Sequence, residues 1–174
     1  MMPLTAKTPK PLLKVNGKPL INYVLDSLPS EIDEIIIVIK YLLDHIVEHI
    51  GGEYKGTKVT YVEGSDKGNA YSFLETRRHL DNERFLLIYG DEMPSKENVS
   101  RCMSEDLSVL VYGDMVKDGV MVLNTDIYKY EPGEDGQFST MVDLFIKDHV
   151  VSLIKSNNFV GGINTPEDIK RLNG

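Results

Sequence analysis

The sequence contains almost no cysteine and no long apolar run. Its one cysteine, Cys102, cannot form an internal disulfide, and no CxxC pair or histidine-rich cluster indicates a zinc site. No apolar run approaches the roughly 20 residues that a membrane-spanning helix needs. The first residues, MMPLTAKTPK, lack the apolar centre of a secretory signal peptide. These absences argue against a disulfide-stabilised secreted protein and against a membrane partner, so we expect a cytoplasmic protein.

Acidic residues are missing from the first 25 positions, although the whole chain is acidic. The net charge of the 174 residues is −8 at pH 7, and the first acid is Asp26. Four lysines precede it, Lys7, Lys10, Lys14 and Lys18, so the remainder carries −12 (−8 minus 4). An acidic body argues against nucleic-acid binding, which needs a basic face. The lysine segment could hold one small anionic ligand or be a solvated loop, and charge alone favours the loop.

Segments typical of strands and helices alternate along the chain. Continuous apolar runs predict strands at 34–40, 58–63, 84–90, 108–113, 119–124 and 150–155. Apolar residues at helical spacing predict helices at 19–28, 41–50, 69–80, 96–104 and 139–148, and a last helix that Thr165 caps together with Asp168. This alternation predicts one α/β domain over 1–174, with a mostly parallel sheet and helices on both faces.

Two finer expectations concern the sheet and one loop. We expect 34–40, 58–63, 84–90 and 108–113 to be neighbouring strands. The segment EPGEDGQ (131–137) is rich in acids and glycine, which predicts a flexible, solvated loop.

Ligands of open α/β sheets bind at the carboxyl ends of strands, and three such ends carry polar residues. Asp91 follows Gly90 after a buried strand, so it either coordinates Mg²⁺ bound to phosphates or is an ordinary turn aspartate. GSDKGNA (64–70) has glycines that would let the backbone approach a base or a phosphate, but an ordinary loop with Asn69 as a helix cap is equally compatible. NTD (124–126) is the third strand end.

The histidines and the cysteine do not indicate a site. His45 and His49 have the i, i+4 spacing of a metal pair, yet they lie among acids on the polar side of a predicted helix, which favours a solvated face. Cys102 is predicted to be a buried apolar residue.

Several motifs in order resemble the sugar-1-phosphate nucleotidyltransferases, which make nucleotide sugars from an NTP and a sugar 1-phosphate. PKPLL (9–13) and V-x-GKPLI (15–21) are similar to the early lysine segment of that family. KGNAYSF (67–73) resembles its nucleotide loop, and FLLIYGDEM (85–93) resembles the strand that bears its metal aspartate. GVMVLNTDIYKY (119–130) and FVGGINTPEDIKRL (159–172) resemble two later family segments.

The resemblance implies a fold, a reaction and a set of site residues. The implied fold is a three-layer, Rossmann-like α/β sheet, and the implied reaction is Mg²⁺-dependent nucleotidyl transfer that releases pyrophosphate. Lys10 would hold phosphate oxygens and Asp91 the metal, so both would be catalytic. The remaining assignments are Gly68, Asn69 and Gly90 against the nucleotide, and Gly119 and Asn124 on the sugar-phosphate side. Because Pro9 and Pro11 stiffen the lysine segment and no acid lies nearby in sequence, we expect the Lys10 charge to stay uncompensated until substrate binds.

The chain departs from the family pattern at three places. The family's first strand and its GxGTR loop would precede MMPLT, which we interpret as a shortened start. No EKP lysine precedes 119–124, where Lys117 is the lysine nearby. Gly162 falls where the family has a second metal aspartate, and Asn164 replaces the glycine that follows that aspartate in the DIG motif. The latter two departures indicate divergence, unless Asp66 or Glu92 supplies the second carboxylate.

The missing strand predicts a gap in the sheet beside 34–40 or 84–90. Another chain, a dimer contact or a strand from elsewhere in the sequence would fill it, and a homo-oligomer is left open. Two alternative functions remain: a non-catalytic nucleotide-binding or regulatory homologue, and a cytidylyltransferase that acts on an alcohol phosphate.

Overall fold

The computed structural model describes residues 8–80, 84–113, 116–156, 163 and 165–173. The helices are α1 (Leu20–Ser27), α2 (Leu43–Ile50), α3 (Asn69–Leu74), α4 (Lys96–Met103), α5 (Phe138–Asp148) and α6 (Pro166–Asn173). The strands are β1 (Lys14–Val15), β2 (Lys18–Pro19), β3 (Glu34–Ile39), β4 (Glu53–Tyr54), β5 (Thr57–Glu63), β6 (Arg84–Ile88), β7 (Ser108–Tyr112), β8 (Val116–Asn124) and β9 (Ser152–Lys155). Short 3₁₀ turns lie at Lys10–Leu12, Glu75–Arg78 and Thr125–Lys129. Every predicted strand and helix is therefore present with shifts at its ends, the largest at the helix predicted over 69–80, which is α-helical to Leu74 and continues as the 3₁₀ turn Glu75–Arg78.

The strands form two sheets and one small hairpin in the described part of the chain. β3, β5 and β4 form the first sheet in that order, with β3 and β5 parallel. β6, β8, β7 and β9 form the second sheet in that order. β1 and β2 form the hairpin, in which Gly17 and Asn16 adopt positive φ angles. The α/β class and its Rossmann-like character are confirmed.

The predicted order of neighbouring strands was wrong in two respects. β3 and β5 lie in a different sheet from β6 and β7. β8 lies between β6 and β7 and runs antiparallel to both, so the second sheet is mixed and not mostly parallel. The reason is the short connection from Tyr112 to Val116, which is too short for the crossover that a parallel strand requires.

Helices cover both faces of the second sheet. α3 and α5 pack on one face, where Phe73, Met141 and Phe145 join a core that includes the β8 residues Met121 and Leu123. On the other face, α4 places Val99 and Cys102 against inward-facing residues of β7 and β8. Cys102 is fully buried, which agrees with its predicted role as an apolar core residue.

The first sheet packs against α1 and α2 in a separate hydrophobic core. Ile21 and Leu25 of α1 and Ile46 of α2 pack against Ile35 and Ile37 of β3. Full burial of an aliphatic side chain of this size stabilises the fold by about 1.5–3 kcal/mol. This core explains why the apolar spacing of α1 and α2 follows the helical period.

Among the residues that the structure describes, no strand lies between β3 and β6, which agrees with the gap predicted beside 34–40 or 84–90. β3 ends the first sheet and β6 ends the second, and both line a cavity of about 1010 Å³. α1 lines one face of this cavity and α3 the other. We refer to this cavity, bounded by β3, β6, α1 and α3, as the slot.

The last helix begins as predicted. The Thr165 backbone N–H donates to Asp168 Oδ2 over 2.8 Å, and the Asp168 N–H donates back to Thr165 Oγ1 over 3.1 Å. No helix in the described ranges combines the length and the apolar character needed to cross a membrane.

Candidate active site

Lys10 is held by a short, proline-rich turn. Pro9 precedes the 3₁₀ turn Lys10–Leu12, and its carbonyl accepts from the Leu12 N–H over 2.9 Å. Leu13 follows with only 9% of its surface exposed, packed in a small core with Val15 and Ile163. The fixed φ of the prolines and this apolar anchor together restrict where the Lys10 side chain can reach.

Lys10 reaches Asp91, which lies 81 positions later in the sequence. Its Nζ donates to Asp91 Oδ2 over 2.6 Å, and the two side chains are 25% and 33% exposed. The expectation that the Lys10 charge would stay uncompensated was therefore wrong. The sequence did not indicate this partner because Asp91 is far from Lys10 in sequence and reaches it only through the path of β6.

Ile163, Tyr89 and Glu92 lie near Asp91. The Ile163 N–H donates to the Asp91 carbonyl over 3.1 Å, which brings the segment before α6 to this site. The Tyr89 N–H donates to the Gly119 carbonyl over 2.9 Å. Burial, together with the negative charges of Asp91 and Glu92, raises the pKa of the Tyr89 hydroxyl to about 12.

Gly119 is required where it lies. Its φ is +44°, and a Cβ there would come within 2.6 Å of Glu92 Cγ and 3.3 Å of Glu92 Oε1. The Glu92 carboxyl group therefore lies over the Gly119 backbone, next to Asp91. The structure brings together Lys10, Asp91, Glu92 and Gly119.

Gly68 and Asn69 contact the segment that the sequence predicted to be a flexible, solvated loop. A Cβ on Gly68 would lie 2.5 Å from the Gly136 carbonyl oxygen, and Gly136 accepts from the Ala70 N–H over 3.1 Å. The Asn69 Oδ1 accepts from the Phe138 N–H over 2.8 Å. Loop 133–137 is therefore packed against the glycine loop, and no pattern in the sequence marked this contact.

Asn124 lies away from Asp91. β8 is antiparallel to β6 and pairs Asn124 with Arg84, at the amino end of β6, whereas Asp91 follows its carboxyl end. The four steps from Arg84 to Ile88 alone span about 13 Å. The Asn124 side chain instead accepts from the Asp126 N–H over 3.1 Å and caps a 3₁₀ turn. The strand-end rule misplaced this residue because β8 is antiparallel.

Of the other predicted positions, Gly90 lies beside Asp91, whereas Lys117, Asp66 and His49 have partners elsewhere. Gly90 lines the slot beside Asp91, and a Cβ there would meet nothing within 4 Å. Lys117 pairs with Asp143 over 2.6 Å, and the largely exposed Asp66 pairs with Lys40 over 3.3 Å. His49 contacts Asn22 on an exposed face, in line with the solvated role predicted for it. Gly162 and Asn164 lie outside the described residues.

Asp91 and Glu92 are residues that could hold a magnesium ion together with substrate phosphates. Asp91 and Glu92 are consecutive carboxylates that both line the slot. Among the residues that the structure describes, no group of three or more histidine, cysteine or acidic residues could hold a metal. Because Mg²⁺ is commonly held by one or two carboxylates together with substrate phosphates, two adjacent carboxylates meet its protein requirement.

Comparison with known proteins gives consistent relatives. A family model described as nucleotidyl transferase matches residues 1–108. The bifunctional protein GlmU of Methanococcus aeolicus is 24% identical over 212 aligned residues, which cover 99% of this chain and 50% of that protein. The UTP–glucose-1-phosphate uridylyltransferase AglF of Haloferax volcanii is 33% identical over 95 residues, which cover 53% of this chain and 39% of that protein. The chain thus spans about half the length, or less, of these curated relatives.

Solved structures agree on the fold. A Bacillus anthracis protein named as a glucose-1-phosphate thymidylyltransferase superposes with a TM-score of 0.81 at 19% identity, covering 99% of this chain and 88% of that one. The inositol-1-phosphate CTP transferase of T. maritima superposes with a TM-score of 0.72 at 16% identity, covering 97% of this chain and 90% of that one. The family match over more than half of the sequence shows that the chain belongs to the nucleotidyl transferase family.

Proposed function

We propose that this chain transfers a nucleoside monophosphate from an NTP to a sugar 1-phosphate and releases pyrophosphate. The observation that carries the proposal is the juxtaposition of Lys10 and Asp91 at the carboxyl end of β6. A cation and a carboxylate at this position supply the two charges that nucleotidyl transfer uses, one for phosphate oxygens and one for a metal. Relatives named as a glucose-1-phosphate uridylyltransferase and a mannose-1-phosphate guanyltransferase support the same class of reaction.

The reaction exchanges one phosphoanhydride bond for another. An oxygen of the sugar 1-phosphate attacks the α-phosphorus of the NTP, and a new P–O bond forms. The bond between the α-phosphorus and the α,β-bridging oxygen breaks, and its electron pair leaves with pyrophosphate. Negative charge builds up on the non-bridging and leaving oxygens, so positive charge that is fixed in place lowers the barrier.

Lys10 and Asp91 must exchange partners for this reaction. Lys10 would donate to phosphate oxygens, and Asp91, with Glu92 beside it, would hold Mg²⁺, which when bound neutralises phosphate charge. The ion pair is partly exposed, and pairs of this kind contribute about 1 kcal/mol or less. A nucleotide with its metal can therefore displace the pair at little cost.

The remaining contacts are assigned by position. Gly68, Asn69 and Gly90 would lie against the nucleotide, and Gly119 would lie on the sugar-phosphate side, next to Glu92. Because Asn69 uses its Oδ1 on the Phe138 N–H, its Nδ2 donors are the groups it would offer a base. Asn124 is left out of the proposal because it lies at the other end of the sheet.

The base and the acceptor have to be determined by assay. Three relatives are named as uridylyl, guanylyl and thymidylyl transferases of sugar phosphates, and one is named as a CMP-5'-(3-aminopropyl)phosphonate synthase. The cytidylyltransferase alternative therefore belongs in the same test. We propose the cytoplasm as the compartment, in keeping with the single, buried Cys102.

The test is pyrophosphate release by the whole chain with Mg²⁺. Each NTP is combined with a panel of sugar 1-phosphates and with phosphocholine as an alcohol phosphate. Lys10→Ala should lower turnover about a hundredfold or more, which is typical of removing one preorganised charge. Asp91→Asn should abolish metal-dependent turnover, since it is nearly isosteric but lacks the carboxylate charge. The matched controls Lys14→Ala and Glu48→Gln alter exposed residues and should retain turnover.

A non-catalytic nucleotide-binding protein is the second candidate. Two observations favour it. Lys10 forms an ion pair with Asp91, the proposed metal ligand, and the described residues supply no third metal ligand. Calorimetry separates the two candidates. NTP binding without pyrophosphate release from any pair supports the binding protein, whereas release that survives both Lys10→Ala and Asp91→Asn contradicts our assignment of the site.

A further inference from the structure

Ser72 of α3 holds the loop between β5 and α3 from both of its ends. Its Oγ accepts from the Ser65 N–H over 3.0 Å, at the start of that loop. The same hydroxyl donates to the Gly68 carbonyl over 3.1 Å, at the end of the loop, and the Ser65 carbonyl is a second acceptor at 3.3 Å. One side chain therefore joins the two ends of loop 65–68.

The contact with Ser65 goes beyond what a serine usually does within a helix. A helical serine commonly bonds to the carbonyl four positions earlier, as Ser72 does with Gly68. Ser27 of α1 likewise donates to the Val24 carbonyl of its own helix. Ser65, however, lies outside α3 and seven positions before Ser72, so the hydroxyl also binds a backbone donor of the loop.

Ser65 carries this restraint further into the loop. Its own Oγ accepts from the Lys67 N–H over 3.2 Å. Because Ser72 fixes the backbone of Ser65, it also limits where the Ser65 hydroxyl and the Lys67 N–H can lie. Ser72, Ser65 and Lys67 thus form a line of hydrogen bonds that ends one residue before Gly68.

The space around Gly64 shows that the loop and Ser72 are fitted to each other. A Cβ on Gly64 would lie 2.9 Å from Ser72 Oγ and 3.3 Å from Ser72 Cβ. The Gly64 N–H donates to the Ile39 carbonyl over 3.1 Å, which ties the start of the loop to the end of β3. A larger residue at position 64 would displace Ser72, so the position of the hydroxyl depends on this glycine.

The loop leads into the residues that the proposed function places against the nucleotide. Asn69 and Ser72 line the slot together with Asp91. Gly68 and Asn69 follow directly on the restrained backbone. A loop that already has its binding shape before the ligand arrives loses less conformational freedom on binding, which raises its affinity.

We propose that Ser72 is a positioning residue for the nucleotide, because its hydroxyl holds loop 65–68 in the shape that binds an NTP. Ser72 acts through the loop backbone and not on the reacting atoms. The proposal rests on the proposed function, in which Gly68 and Asn69 contact the nucleotide. It adds that the affinity for the NTP, and not the rate of transfer, depends on Ser72.

The test compares NTP binding by the whole chain and its variants in calorimetry. ATP, CTP, GTP, UTP and dTTP are each titrated with Mg²⁺, and the tightest binder serves as the probe. Ser72→Ala should weaken binding of the probe about tenfold, and Ser72→Thr, which keeps the hydroxyl, should stay within about threefold of the parent. The matched control is Ser100→Ala, the same substitution at an exposed position of α4, and it should bind the probe as the parent does.

Two further measurements separate positioning from a general loss of stability. In hydrogen exchange without nucleotide, the Ser65 and Lys67 amides of Ser72→Ala should exchange at least about fivefold faster, whereas the amides of β8 should not change. In pyrophosphate release, the KM for the NTP should rise about tenfold in Ser72→Ala while kcat stays within about twofold, as expected when binding alone is lost.

Four results would overturn the role of Ser72. They are a Ser72→Ala variant that binds the probe as tightly as the parent, a Ser72→Thr variant that binds it as weakly as Ser72→Ala, a fall in kcat without a loss of affinity, and a loss of protection in β8, which would make Ser72 a general structural residue. A parent chain that binds none of the five NTPs would overturn both this proposal and the proposed function. A parent that binds the probe without releasing pyrophosphate would contradict the proposed transfer alone, because the binding and exchange measurements still decide the role of Ser72.

Discussion

Gly68→Ala should destabilise the protein even when no nucleotide is present. Gly68 has φ +126° and ψ 173°, a region of backbone conformation that is essentially restricted to glycine. In addition, a Cβ at this position would lie 2.5 Å from the carbonyl oxygen of Gly136 and 3.3 Å from its Cα. The obstacle is backbone, which cannot rotate away as a side chain could.

The expected loss combines two costs. Holding a residue with a Cβ in this backbone region costs about 1–3 kcal/mol. Forcing extra volume into a packed contact costs about another 1–3 kcal/mol. Because relaxing the backbone relieves part of both at once, we expect a decrease of about 2–4 kcal/mol in the free energy of unfolding. The contacts most affected would be the hydrogen bonds from Ala70 to Gly136 and from Phe138 to Asn69.

Urea unfolding followed by far-UV circular dichroism measures this loss, which suits a chain without tryptophan. The matched control is Gly52→Ala, because Gly52 is exposed and a Cβ there would meet nothing within 4 Å. That variant should lie within about 0.5 kcal/mol of the parent, as is usual for surface substitutions.

The result that would refute the reasoning is a Gly68→Ala variant as stable as Gly52→Ala. Gly68 would then serve nucleotide binding alone, and the substitution would change the NTP affinity without changing the free energy of unfolding. A loss in both quantities would support a role for Gly68 in packing as well as in binding.

Two further predictions concern stability. Hydrogen bonds from Lys18 and, to a smaller extent, Lys55 hold the pKa of Asp26 far below its ordinary value. The ionised Asp26 therefore stabilises the folded state fully above about pH 4, the pKa of the unfolded state. This stabilisation is lost as the pH falls through the lower pKa of the folded state. Asp26→Asn should cost about 1 kcal/mol at pH 7 and flatten the fall in stability below pH 4, and an unchanged acid profile in urea unfolding would contradict this. Thr165→Ala removes the hydroxyl that accepts from the Asp168 N–H and caps α6. It should lower the stability of that helix by about 1 kcal/mol, and amide hydrogens in α6 should then exchange about fivefold faster. Thr165→Ser should retain the protection, and equal exchange in the alanine and serine variants would exclude the cap.

The sequence predicted the elements of the fold better than their arrangement. Apolar runs and helical spacing located the strands and helices because burial selects those periods locally. They could not place β8 between β6 and β7, because periodicity carries no information about which strands are neighbours. The gap between β3 and β6 was predictable only from the resemblance to a family with one more strand there.

The candidate site was predicted in part for the same reason. The strand-end rule found Asp91, which follows the carboxyl end of β6, and it failed at Asn124, because β8 runs antiparallel to β6 and ends at the opposite edge of the sheet. Composition suggested that segment 131–137 is solvated. The acids Glu131, Glu134 and Asp135 are exposed as predicted, but Gly136 is buried against Gly68, since two glycine backbones can approach closely where larger residues cannot.

The Lys10–Asp91 pair shows why local charge in a sequence is a poor guide to charge at a site. The lysine segment has no acid within 15 positions of Lys10, yet the fold places a carboxylate 2.6 Å from its Nζ. A fully buried pair would resist separation, because each charge would lose most of its solvation. Here the side chains are 25% and 33% exposed, so water can solvate both charges as they part. The pair therefore neutralises the charges of Lys10 and Asp91 while leaving both groups able to take new partners, which in the proposed function are the phosphates for Lys10 and the metal for Asp91.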